Sequence, residues 1–193
     1  VYERLKQNEQ AIDAYDSVSE KSPLRVNADI QIGLLLETME KKDEATKVLT
    51  DLVKEHPNDS EAQTALGNLL RSRKDFTGAI EAYTKAIALS KGPEKALWSL
   101  YYYRGIAYER AKNWPPAEAD FKKALELYPE QPLVLNYLGY SWIDKNMNLD
   151  EAFTMLRRAV ALRPQDGYIV DSLGWAHYRL GRYDEAVKDL EHA

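Results

Sequence analysis

Five glycines recur along this chain at nearly one spacing, Gly33, Gly67, Gly105, Gly139 and Gly174, separated by 34, 38, 34 and 35 residues. A period of this size marks a chain built from one supersecondary unit copied end to end, and no other feature constrains the fold as tightly. Twelve or thirteen residues after each glycine comes an alanine (Ala45, Ala79, Ala117, Ala152, Ala186), and four further on a large apolar residue (Leu49, Tyr83, Phe121, Leu156, Leu190). A leading half-copy fits through Ala11, Tyr15, Val18 and Pro23.

Within each half of a copy the apolar residues keep the i, i+3, i+4, i+7 spacing of an amphipathic helix, so a copy reads as two antiparallel helices. Glycine inside a helix costs about 1 kcal/mol relative to alanine, so its return at one phase demands a packing reason. Small residues mark helix crossings: Gly139 and Ala152 lack bulk where two backbones approach, and Tyr137, Leu138 and Leu156 fill the space around them. Pro57, Pro129 and Pro164 end the second helix of their copies, because proline disfavours helix at the residue before it. Gly181 suits the position just past a helix end. The pairs Asp43-Glu44, Asp150-Glu151 and Asp184-Glu185 open second helices, where they complement the helix dipole rather than form a catalytic dyad. Asn58-Asp59-Ser60 has the form of a glycan acceptor, but ahead of a helix it reads as a cap.

Two departures interrupt the period. Ser90-Lys91-Gly92-Pro93 adds four residues, expected to lengthen the next first helix by about one turn and to project that turn, with Lys95, past its neighbours; Trp98 there reads as a packing staple rather than a ligand contact. Asn146-Met147-Asn148 adds one residue to a turn.

Tyr101 to Pro129 (YYYRGIAYERAKNWPPAEADFKKALELYP) and residues 170–193 resemble tetratricopeptide repeats. The third full copy matches through Tyr101, Gly105, Tyr108, Ala117, Phe121, Ala124 and Pro129, with Arg104 where the family has leucine. The resemblance covers the whole chain. It implies an all-α, right-handed superhelical solenoid of antiparallel helix pairs, a single array with a partial repeat at 1–23 and repeats at 26–59, 60–93, 98–131, 132–166 and 167–193. It also implies a non-enzymatic scaffold that binds a protein or peptide. Asn136 to Tyr140, Asp171 to Trp175 and Tyr178 to Gly181 are similar, more narrowly, to C-terminal repeats of proteobacterial envelope proteins, including lipoprotein adaptors that hand substrates to a carboxyl-terminal processing protease. That similarity implies a bacterial, periplasmic protein, with the cytoplasm as the alternative. Because the first half-copy begins partway through a helix and the last lacks a polar capping helix, the chain is expected to be a fragment of a longer array in which Leu190 and Ala193 are partly bare.

Composition removes several function classes. Acidic and basic residues interleave along a chain of net charge -5, so no basic stripe neutralises phosphates and nucleic acid is not the expected partner. The absence of cysteine excludes a disulfide framework, a thiolate metal site and a cysteine nucleophile. No apolar run reaches the roughly 18 to 20 residues that cross a bilayer, so membrane insertion by this segment is not expected. Asp171, Ser172 and His177 supply the residue types of a nucleophilic triad, but on one helix Ser172 and His177 diverge by about 140 degrees and cannot share a proton. His56, His177 and His192 include no i, i+4 pair for a metal, and the phosphate-loop, dinucleotide and calcium-loop patterns are missing. No cofactor is implied.

In the family the first helices line a concave groove. Counted from the glycine phase, the second, fifth, ninth and twelfth positions fall on Asn27, Ile30, Leu34 and Glu37; Glu61, Thr64, Asn68 and Arg71; Ser99, Tyr102, Ile106 and Glu109; Leu133, Asn136, Tyr140 and Ile143; and Tyr168, Asp171, Trp175 and Tyr178. Sixteen of the twenty aromatic residues lie in 98–193, several at these phases. Tyrosine and tryptophan offer rigid contact area with a polar tip, so Asn68, Tyr102, Asn136, Tyr140, Asp171, Trp175 and Tyr178 are the candidate partner-binding residues. The competing reading has the aromatics packing against neighbouring first helices. A clamp for a terminal carboxylate is not expected, since Asn68 fits that pattern but Thr64, Ser99 and Tyr103 do not. The alternative function is structural assembly or self-association through array ends and convex face.

Overall fold

A computed structural model describes residues 7–192 of the chain, with side chains described through Glu191. The start of the partial repeat at 1–6, Ala193 and the His192 side chain lie outside the described residues. Eleven helices run in order through the described residues, with no strand: α1 (Asn8–Asp16), α2 (Arg25–Thr38), α3 (Lys42–Glu55), α4 (Ser60–Ser72), α5 (Phe76–Leu89), α6 (Trp98–Arg110), α7 (Trp114–Leu127), α8 (Pro132–Asp144), α9 (Leu149–Leu162), α10 (Gly167–Arg179) and α11 (Tyr183–His192).

The glycine period has a steric cause. A Cβ on Gly105 would stand 2.8 Å from the Phe121 ring, and one on Gly139 would stand 2.9 Å from the carbonyl oxygen of Ala152, both closer than carbon tolerates. Each such glycine lies in a first helix against the large apolar residue of its own second helix.

The turns inside the pairs share one geometry. The amide of Lys41 donates to Leu36 O (2.9 Å), Asp75 to Leu70 O (2.9 Å), Asn113 to Tyr108 O (2.9 Å), Met147 to Trp142 O (2.8 Å) and Arg182 to His177 O (2.9 Å). Each of these bonds closes a turn around one left-handed residue: Glu40, Lys74, Lys112, Asn146 and Gly181, with φ of 61, 64, 61, 55 and 75°. The sequence pattern exposed Gly181 alone. The single-residue insertion places a second left-handed residue, Asn148, at the N-cap of α9. Asp59 caps α4 by accepting from the amides of Glu61 and Ala62, whereas Ser60 turns its hydroxyl to the Ala86 carbonyl at 2.8 Å.

The four-residue insertion does not lengthen the next first helix. Glu94–Leu97 forms a separate 3₁₀ turn, and α6 starts at Trp98 with 13 residues, the same length as α4, α8 and α10. Pro93 is extended and its carbonyl accepts from Ala96 at 2.8 Å, which tightens the added residues into that turn. Trp98 packs edge-on against Tyr128, ring centroids 5.8 Å apart, and so acts as a staple.

The described residues divide into two compact units, one running up to residue 92 with 106–117 and the other 93–105 with 118 onward. In the first, Ile32, Leu36, Leu49, Leu52, Ala62 and Leu69 form a core. Arg25, from α2, holds α1 through the carbonyls of Asp16 and Val18 and pairs with Asp29. Arg73, just past α4, donates to Glu37 at 2.7 Å, to the Thr46 hydroxyl and to the Lys42 carbonyl. In the second unit the interior holds Phe121, Leu138, Trp142, Leu156 and Ile169, none more than 1% exposed. Arg104, the departure from leucine, is explained here: its guanidinium donates to both carboxylate oxygens of Asp120, at 2.7 and 2.8 Å, with both side chains largely buried.

Candidate functional site

The seven residues singled out from the sequence have three different fates. Asn68 is half-buried and its side-chain oxygen accepts from the Tyr83 hydroxyl at 2.8 Å, so it is engaged within its own helix pair. Tyr102 is 8% exposed, packed among the rings of Trp98, Phe121 and Tyr137 at 6.0 to 6.4 Å. Asn136 is fully buried, with no partner for either side-chain amide atom among the described residues. Tyr102 and Asn136 therefore do not line an open surface, and the expectation for them is corrected. Both occupy the fifth position of a first helix. That position faces the next first helix: Tyr137 of α8 covers Tyr102, and α10 packs directly on α8.

The ninth position is mixed, with Asn68 and Ile106 half-buried but Leu34 and Tyr140 open. Tyr140 is 39% exposed with α10 packed beside it, and Leu34 is 47% exposed with α4 packed against α2. Asp171 and Tyr178 are exposed on α10, and Trp175 is half-buried. In the second unit these groups form a continuous aromatic and charged surface. On α8, Tyr140 and Asp144 lie one turn apart. Arg179 of α10 reaches Asp144 at 3.7 Å and stands 5.8 Å from the Trp175 ring. Trp175 stacks on Tyr178 at 5.5 Å, and Tyr178 meets Tyr183 of α11 at 5.7 Å. Burial raises the Tyr140 phenol above its ordinary pKa, and the neighbouring Asp144, Tyr168 and Asp171 add to the rise while Arg179 opposes it.

Sequence reasoning missed Asp144 and Arg179, which stand outside the groove phases; the signal for Asp144 was its i+4 relation to Tyr140. It counted Tyr168 at a groove phase without singling it out. Nothing at the triad residues assembles a nucleophile. The buried Ser172 hydroxyl donates to the Tyr168 carbonyl at 3.0 Å, while His177 Nδ1 lies 2.8 Å from Asp189 Oδ2 with its ring against Phe153. Among the described residues no group of three histidine, aspartate or glutamate side chains could hold a metal, and no helix is long and apolar enough to cross a membrane.

Sequence profiles of the tetratricopeptide repeat match residues 28–59, 60–130 and 169–193. A TPR repeat-containing protein of Pseudomonas aeruginosa is 32% identical over 95 residues, which is 49% of this chain and 16% of that protein. The chain thus spans a small part of its curated relatives, 16% and 11% of two of them. Among solved structures, BtubC from P. vanneervenii superposes with a TM-score of 0.81 at 18% identity, covering 99% of this chain and 89% of its own. YrrB, described as a TPR protein with an unusual peptide-binding site, superposes with a TM-score of 0.69 at 16% identity, covering 94% of this chain and 91% of its own. At these identities the structures establish the fold alone, an all-α solenoid of helix pairs.

Proposed function

We propose that this chain, which belongs to the tetratricopeptide-repeat family, is a protein-interaction scaffold that grips a peptide or partner segment across the surface of Tyr140, Asp171, Trp175 and Tyr178. One observation carries the reading. Tyr140 keeps 39% of its surface open although the following first helix is in place, whereas Tyr102 and Asn136, one turn earlier in phase, are closed by theirs. An aromatic side chain left open under that packing contributes little to the core and is available to a ligand. The likeness to a peptide-binding repeat protein supports a polypeptide partner by analogy of fold.

Truncating Tyr140 and Trp175 together to alanine is expected to weaken a genuine partner by about 2 kcal/mol or more, as loss of aromatic hot spots does, with a small change in melting temperature. Affinity measured on captured partners, with a thermal melt of the same double variant, checks this. A variant that keeps every partner, or that unfolds, sinks the reading.

Assembly through array ends and convex face is the second reading. Sedimentation across a concentration series separates the two, since an assembly module associates with itself.

A further inference from the structure

Four second helices keep one length from their alanines. α3, α5, α7 and α9 end at Glu55, Leu89, Leu127 and Leu162, ten residues beyond Ala45, Ala79, Ala117 and Ala152. α1 ends at Asp16, five residues beyond Ala11, although 22 residues separate Ala11 from Gly33 just as they separate Ala45 from Gly67. More than one helical turn is therefore unwound with nothing inserted. Arg25 holds it so: its guanidinium donates to the carbonyls of Asp16 (3.2 Å) and Val18 (2.9 Å), which in a continued helix would accept from the amides of Glu20 and Ser22. Val18 is only half-buried, whereas Leu52, Ala86, Ala124 and Ala159 at the same phase are at most 3% exposed.

The unwound turn leaves a cavity of about 470 Å³ between the end of α1, α2 and α3. Ile32, Leu36, Val48 and Leu52 form its floor, and six carboxylates line it against two cations, Arg25 and Lys47. Arg25 is engaged by Asp29 and the two carbonyls, so it offers little to an anion. Glu44 and Glu55 are exposed on the face of α3 that carries Val48, and neither has an ion pair among the described residues. A further first helix ahead of α1 would not close this space. First helices pack on their own second helix and on the next first helix, as α2 does on α3 and α4, so such a helix would sit on α1 and α2, clear of α3.

We propose that this cavity is a second binding site, separate from the α8 and α10 surface, for a partner polypeptide segment that sets an aliphatic side chain beside a lysine or arginine. The aliphatic group takes the place that the last turn of a second helix fills in other copies, and covers the apolar floor. The neighbouring cation meets Glu44 or Glu55, and the excess of carboxylates repels an acidic segment.

The test titrates the whole chain with an end-blocked Lys-Leu-Lys peptide set in a glycine-serine frame and follows the methyl resonances of Ile32, Leu36, Val48 and Leu52 by NMR. Matched peptides carry Lys-Ser-Lys or Glu-Leu-Glu. Saturable shifts at these methyls are expected with Lys-Leu-Lys, with at least about tenfold weaker binding of either matched peptide. Val48→Trp, which fills the cavity, is expected to abolish the shifts of the other three residues, and Glu55→Lys to weaken binding by about threefold or more, with an unchanged melt. Tyr140→Ala with Trp175→Ala should leave this binding intact. The proposal is overturned by the absence of saturable shifts or by equal binding of either matched peptide. Undiminished binding to Val48→Trp also overturns it or, should that variant unfold, undiminished binding to Glu55→Lys. Loss of the peptide from the Tyr140 and Trp175 variant would place it on the α8 and α10 surface instead, which removes this site and leaves the surface reading standing.

Discussion

In the unit that contains α2 to α5, a polar tie between successive helix pairs is made by Arg73, 21% exposed and paired with a Glu37 that is 30% exposed, joining the turn after α4 to α2 and α3 from outside the core. In the unit that contains α8 to α11, the corresponding tie is Arg104 with Asp120, 15% and 8% exposed, set within the packing at a phase where the family places leucine. Rings do the rest there, with Phe121, Tyr137 and Tyr102 in mutual contact and the buried Trp142 donating its indole N–H to Glu118 at 3.1 Å. The repeat phase dictates where side chains meet, and it leaves open which chemistry joins them. A half-exposed clamp and a buried one have different energetics: solvent screens the first, whereas the second has lost its water and depends on its partner.

The sharpest way to break the comparison is to remove one partner from each tie. Arg104→Met strands the Asp120 carboxylate in the interior and is expected to cost about 3 to 5 kcal/mol, while Arg73→Met costs about 1 kcal/mol. Urea denaturation of each variant measures the difference. Equal losses would mean that burial does not separate the two arginines. Replacing Arg104 and Asp120 together by leucine and methionine should restore most of the stability lost by Arg104→Met, because an apolar pair leaves no charge uncompensated.

A second comparison lies within α8, between residues two positions apart. Leu138 is fully buried, and Leu138→Ala is expected to cost about 2 to 5 kcal/mol. Asn136 is equally buried, but its amide has no partner among the described residues, so Asn136→Val is expected to change stability by less than about 1 kcal/mol. A large loss from Asn136→Val, read in the same denaturation series, would reveal a hydrogen bond to ordered water.

The smallest expected effect is a gain. Lys74 and Lys112 adopt left-handed backbone where Gly181 serves the same turn, so Lys74→Gly and Lys112→Gly should each stabilise by about 1 kcal/mol. Melts of the two variants against wild type decide it, and a loss in both would show that the lysine side chains contribute more than the backbone strain they carry.

The helix pairs were legible in the sequence because their causes are local and repeated. A glycine that must pass under Leu49, Tyr83 or Phe121 leaves a mark at every copy, and Pro57, Pro129 and Pro164 each fall two residues past the end of a second helix. The turn geometry was only partly legible, since four of its five left-handed residues are Glu40, Lys74, Lys112 and Asn146, and glycine marks the fifth alone. The four-residue insertion misled for a similar reason: helix periodicity does not distinguish one added α turn from a 3₁₀ turn held by the Pro93 carbonyl.

The candidate surface divides along the same line. Phase on a single helix is a property of the chain, and it was enough to place Tyr140, Asp171, Trp175 and Tyr178 on first helices together with Tyr102 and Asn136. Which of these stay open depends on the helix packed alongside. Asn136 lies beneath that contact and Tyr140 beyond it, although they share one face of α8 a single turn apart. The carboxylate of Asp144 and the guanidinium of Arg179 likewise meet only because α8 and α10 pack together, and they are 35 positions apart in the chain. Local sterics wrote the repeat into the sequence. Exposure and charge pairing arise between helices, so they were decided only when the helices met.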